Sequence, residues 1–220
     1  MLDAEVFAII TLTLRMTLLS TAISSVIGIP LGLWLDSVSF AGKNLVVIIN
    51  RTLMASPPVV VGLVVFLLFT RHGPFGFLGL MFTFEAMVIA QVILISPIIC
   101  GIVYTASRRS SGRIRVFALT MGASKRQTQT LLIKELGNEI FFAVVAGFGR
   151  AMSEVGAIMI VGGNIRRHTR TMTTTISLLR NRGEIDQAIL LGVMLMLIAF
   201  SVQMLADFLR KRERRTDENF

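Results

Sequence analysis

The chain has 220 residues, 54% of them apolar, with a mean hydropathy of +0.75 and a formal net charge of +9. That hydropathy excludes an ordinary soluble domain, and several windows reach the ~20 apolar residues that cross a bilayer as a helix. In a soluble protein this charge would point to nucleic acid; in a membrane protein it reflects orientation, because basic residues accumulate in cytoplasmic loops, and no nucleic-acid partner is read.

Backbone groups in lipid must be bonded within the segment, which favours helices, and the alternating ~10-residue pattern of a transmembrane barrel is missing. The reading is an all-α polytopic membrane protein of one domain with five spans. The single cysteine, Cys100, allows no disulfide within the chain and reads as a buried, inert thiol. Residues 1–20 lack the basic start and small-residue cleavage site of a leader, so the first helix is read as its own insertion signal.

Segment one covers residues 6–35, with Arg15 placed to snorkel at the bilayer edge and Gly28, Pro30 and Gly32 permitting a kink or close helix contact. Segment two, residues 44–70, contains Ser56-Pro57-Pro58. Two adjacent prolines remove two amide donors, so the helix is kinked there or broken to line a polar path. Residues 71–82 form a short loop, and segment three covers 83–106.

Residues 107–136 are the long polar interruption, with seven basic residues against the single acid Glu135. Ser124 and Gln127 fit a capping box, which makes Gly122-Ala123 a turn between two short helices, the first around 116–121. That first helix is apolar and small on one side, suited either to docking on a partner or to lying on the membrane surface.

Segment four, residues 140–161, carries Arg150 and Glu154 four apart on one helix face. Each charge alone is expensive at membrane depth, so a pair that fixes packing between subunits, or a position beside a wet path, is expected; both roles are compatible. Gly162-Gly163-Asn164 ends the segment. Residues 165–187 follow with five arginines and the threonines 171 and 173–175. Segment five covers 188–209, and a basic tail fills 210–220, its last residues expected to be disordered. With the tail inside, residues 107–136 are inside and the N-terminus outside; thirteen basic residues inside against six outside support this.

No phosphate loop, metal-ligand spacing or nucleophile–base pair is present, so the chain reads as non-catalytic and without a cofactor of its own. Charged residues in the spans also fit a gradient-driven secondary transporter or channel using Glu154 and Arg150.

Ala118, Leu119, Gly122, Ala123 and Ser124 fit the frame of the EAA loop and so resemble ABC-importer permeases. Val116 and Phe117 stand where that motif has Glu-Ala, and Glu135 where proline is common. Residues 15–33, 56–62 and 147–164, with 169–174, resemble the molybdate/tungstate branch, the tungstate type most. The resemblance implies a type I importer permease domain over 1–209, working as a homodimer. It also implies two ATPase subunits inside, carrying ATP and magnesium, and an extracytoplasmic oxyanion-binding protein. Ala118, Leu119, Gly122, Ala123 and Ser124 would then couple to the ATPase. Pro57, Pro58, Arg150, Glu154, Gly163 and Asn164 are the pathway or gate candidates. The arginines of 165–187 would raise local oxyanion concentration or, as the preferred reading, pair with carboxylates of the binding protein.

Overall fold

A computed structural model describes residues 2–217, with side chains described except at 2, 3, 125 and 209–217. The described residues are all-α: α1 (Leu2–Ser37), α2 (Lys43–Met54), α3 (Pro58–Phe69), α4 (Phe84–Thr120), α5 (Lys125–Glu135), α6 (Gly137–Met152), α7 (Gly156–Gly162), α8 (Met172–Asn181) and α9 (Ile185–Asp217). Three of these, α1, α4 and α9, are each long and apolar enough to span a membrane. The pairs α2–α3 and α6–α7 qualify as bent spans, turned by 101° and 58°. The five expected segments are therefore present, two of them broken.

The backbone explains the first break. Pro57 sits extended at φ −64°, ψ 127°, and Pro58 takes the first turn of α3, where a missing amide donor is harmless. Ser56 caps the end of α2 by donating its hydroxyl to the Leu53 carbonyl at 2.7 Å.

Helices α1 and α4 form the central pair. A Cβ on Gly32 would lie 2.7 Å from the Cys100 carbonyl oxygen, so glycine there permits the helices to approach closely. Around this seam, Ile95, Ile99, Val103, Ala143 and Ala151 form a buried core between α4 and α6. Cys100 is buried, as expected.

Helix α4 corrects the reading of the basic stretch. Its 37 residues are about 55 Å long at 1.5 Å per residue, against a hydrocarbon core of about 30 Å. No loop opens at Ser107; the helix continues through to Thr120, because residues 107–120 hold no glycine or proline strong enough to stop it (Gly112 is tolerated). The separate short helix expected around 116–121 is the last turn of α4. The turn itself is as expected. Gly122 has φ +70°, the Ala123 amide bonds the Ala118 carbonyl, and the Gly122 amide bonds that of Leu119, a Schellman end. Ser124 and Gln127 form the capping box that starts α5.

Helix α8 was not anticipated. Thr171 and Thr174 cap it reciprocally, and the Met172 amide donates to Thr13 of α1 at 3.0 Å. Met172 packs with Ile9 and Leu191, tying α8 to α1 and α9. The basic run 210–215 continues α9 as helix, and the disorder expected of the chain end falls on 218–220, outside the described residues.

Candidate functional site

The two breaks meet. Gly62 of α3 lies so close to α7 that an added Cβ would stand 2.7 Å from the Ala157 Cα. A Cβ on Gly156 would stand 2.9 Å from the Val59 side chain, one residue after Pro58. The structure thus brings Pro57 and Pro58 to the neighbourhood of Glu154.

Segment four stops being α-helical at Ser153–Val155, leaving backbone groups that a low-dielectric interior cannot leave bare. Polar side chains supply the partners. Gln91, fully buried on α4, donates to the Ala151 carbonyl at 2.9 Å and accepts from Ser20 of α1 at 2.6 Å. Thr173 of α8 donates to the Glu154 carbonyl at 2.8 Å. Glu154 Oε1 accepts from the Ala157 amide at 3.0 Å, which caps α7. Its Oε2 meets Arg150 Nη1 at 2.8 Å. The expected Arg150–Glu154 pair is therefore present, but it bridges a break and does not lie along a continuous helix. The Glu154 side chain is 3% exposed and that of Arg150 33%.

Gly163 and Asn164 lie elsewhere. They follow α7, about 10 Å of helix beyond the break. Gly163 has φ +67° and Asn164 φ +50°, and a Cβ on Gly163 would strike the Phe82 ring. The Asn164 carbonyl accepts from Arg170 at 3.4 Å.

The residues flagged at the end of α4 divide by exposure. Leu119, Gly122 and Ser124 are exposed, Ala123 is half-buried and Ala118 is buried. The apolar surface of the tip comes from Leu119 with Val116, Phe117 and Met121, each more than half exposed. Two of these occupy positions where the motif departs from its usual residues.

Asp36 escaped the sequence reading. Its carboxylate is wholly buried at the end of α1, accepting from Ser107 at 2.9 Å and Arg115 at 3.3 Å, with Arg108 at 3.8 Å. It fastens the projecting part of α4 to α1, and Arg115 stands one residue before the exposed tip. The one signal for it was a lone acid after an apolar run; its partner Arg115 lies 79 residues away. Arg51 of α2, also unremarked in the sequence, lines a small cavity of about 130 Å³ with Asn50 and Tyr104. Among the described residues no group of three His, Cys, Asp or Glu side chains is placed to hold a metal ion.

The family of binding-protein-dependent transport system inner membrane components matches residues 28–215. The chain belongs to this family. It is a multi-pass membrane protein and a non-catalytic transport component. It is 42% identical over 200 residues to the tungstate uptake system permease protein TupB of Peptoclostridium acidaminophilum, covering 91% of this chain and 88% of that one. It is 35% identical over 210 residues to a probable anion ABC transporter permease protein of Haloferax volcanii, covering 93% and 90%. It is 34% identical over 172 residues to TupB of Campylobacter jejuni, covering 78% and 72%.

The two buried carboxylates of this transport component make separable predictions. Glu154→Ala is expected to lower stability by about 3 kcal/mol, the low end for breaking a buried pair, because Arg150 is partly solvated. Glu154→Gln keeps an acceptor for the Ala157 amide and should lose about half as much; thermal unfolding in detergent measures both. Asp36→Ala is expected to lower stability by about 2 kcal/mol, the scale of a charged hydrogen bond. It should also speed protease cleavage within 108–126, while Glu154→Gln leaves that cleavage unchanged.

Proposed function

We propose that this chain is the permease subunit of an ATP-driven oxyanion importer, with tungstate as cargo. In this reading it works as a homodimer with two ATPase subunits on the cytoplasmic side and an oxyanion-binding protein on the other. Residues 1–209 are the permease domain, 107–136 and the 210–220 tail are cytoplasmic, and the N-terminus is outside. The observation that carries it is the exposed apolar tip at the end of the α4 projection, in a chain 42% identical to a tungstate permease.

The coupling contact is the surface of Leu119, Val116, Phe117 and Met121, shaped by the glycine turn at Gly122, with Ala123 and Ser124 opening α5. Ala118 acts from beneath, since it is buried. An ATPase cleft that receives this tip moves α4 as a rigid bar, because Asp36 holds its projection to α1. The gate is the meeting of the two breaks, where Pro57, Pro58, Arg150 and Glu154 flank the short helices α3 and α7, which are able to rotate as units. Gly163 and Asn164, with positive φ, are the hinge at the far end of α7.

A gradient-driven carrier would need Glu154 free to exchange a proton or bind cargo. Both its oxygens are occupied, one by the Ala157 amide and one by Arg150, which favours the ATP-driven reading.

Vesicles holding this chain, its co-purifying ATPase and the binding protein should accumulate tungstate only when ATP is supplied; uptake by vesicles without the ATPase would overturn the proposal. Leu119→Glu places a charge on the tip without disturbing the turn, and should reduce tungstate uptake and binding-protein-stimulated ATP hydrolysis at least tenfold with normal membrane insertion. Gly122 is a poorer probe, since any side chain there strains a positive φ by about 1–2 kcal/mol.

A further inference from the structure

Near the N-terminal end of α1 a cleft of about 370 Å³ is lined by Glu5, Thr11, Arg15, Arg167 and Arg170, with Phe7 and Leu12 among its apolar walls. We infer that it is a binding site for a phosphate-type oxyanion, a defined pocket that goes beyond the diffuse anion attraction or binding-protein pairing expected of the 165–187 arginines.

The charge balance is the first argument. Three guanidinium groups line the cleft against one carboxylate. Glu5 is already engaged by Arg166 Nε at 2.8 Å and by Arg170 at 3.7 Å. Among the described residues Arg15 and Arg167 have no ion-pair partner. Two exposed cations lining one cleft, with a third guanidinium beside them, give it a net positive field that attracts an anion.

The second argument is reach. Arg15 lies ten residues, about 15 Å, along α1 from Glu5. Helix side chains lean toward the N-terminus, and the exposed Arg15 lines the same cleft as Arg167 and Arg170.

The third is preorganisation. Arg167 has φ +65°, a backbone state that non-glycine residues adopt rarely. The loop is held in it from both sides. The Thr169 hydroxyl accepts from the Ile165 amide at 3.0 Å and donates to the Gly162 carbonyl. An observed outlier locked by its surroundings points to a positioned side chain. Guanidinium forks match tetrahedral oxyanions, supplying paired donors to two oxygens.

Two sources offer this chemistry: the phosphodiester of an anionic lipid, or a free tetrahedral oxyanion. The exposed Phe7 and the Leu12 wall suit a headgroup whose acyl chains continue along α1.

The test uses the full-length protein in detergent at constant ionic strength. Its thermal unfolding is followed with phosphatidylglycerol, phosphatidylcholine, sodium phosphate or sodium tungstate added. Stabilisation by phosphatidylglycerol over phosphatidylcholine, with no response to the inorganic anions, upholds the site with lipid as its source. Stabilisation by phosphate or tungstate without lipid preference upholds it with a free anion. In either case Arg15→Gln should weaken the midpoint concentration at least fivefold while leaving the Glu5–Arg166 contact intact. Should Arg15→Gln not fold, Arg167→Asn serves, since asparagine tolerates positive φ. No stabilisation by any of these anions, or an unchanged midpoint in the variants, overturns the inference. Because none of these readings measures transport, failure here leaves the importer proposal untouched, and failed uptake leaves this site untouched.

Discussion

A helix broken inside an apolar medium must find partners for the amides and carbonyls it exposes, and most of this structure follows from that requirement. At Ser153–Val155 the partners come from three side chains. Gln91 on α4 takes the Ala151 carbonyl, Thr173 on α8 takes the Glu154 carbonyl, and Glu154 itself takes the Ala157 amide. Ser20 on α1 then satisfies Gln91. The break is thus a junction that α1, α4 and α8 all serve. The α2–α3 break needs less, because prolines 57 and 58 present no amides to satisfy.

This junction separates two mechanical parts. Helices α1 and α4 are close-packed through glycines and fastened at one end by Asp36, so they move together. The short helices α3 and α7 pack on each other through Gly62 and Ala157, next to both breaks. A long rigid lever beside short, separately orientable helices is the arrangement an alternating-access device needs, since packed interfaces switch between discrete states more readily than they deform. The Arg150–Glu154 pair spans the junction.

Much of the candidate site was legible because its signals are local. Pro57-Pro58 announces a break through missing donors, Gly122 with Ser124 and Gln127 announces a turn and a cap, and a spacing of four announces a pairing of Arg150 with Glu154. What was not legible is what depends on distant residues. Asp36 is an ordinary polar residue until Ser107 and Arg115 arrive from 71 and 79 positions away. Gln91 and Thr173 give no local signal, since the carbonyls they bond, those of Ala151 and Glu154, lie 60 and 19 positions away. The apparent end of segment three at residue 106 was a change in polarity, and polarity does not stop a helix.

The sequence by itself determined the all-α membrane class, the five apolar segments, the proline break, the glycine turn with its cap and the family, because apolar length, missing donors and capping chemistry act over a few residues. Only the tertiary structure decided that segment four is also broken, that α4 runs unbroken from Phe84 to its tip at Thr120, and that Val116, Phe117, Leu119 and Met121 face outward while Ala118 does not. Those outcomes are set by which side chains arrive to satisfy a buried carbonyl or cover a helix face, and that is a property of the assembled chain.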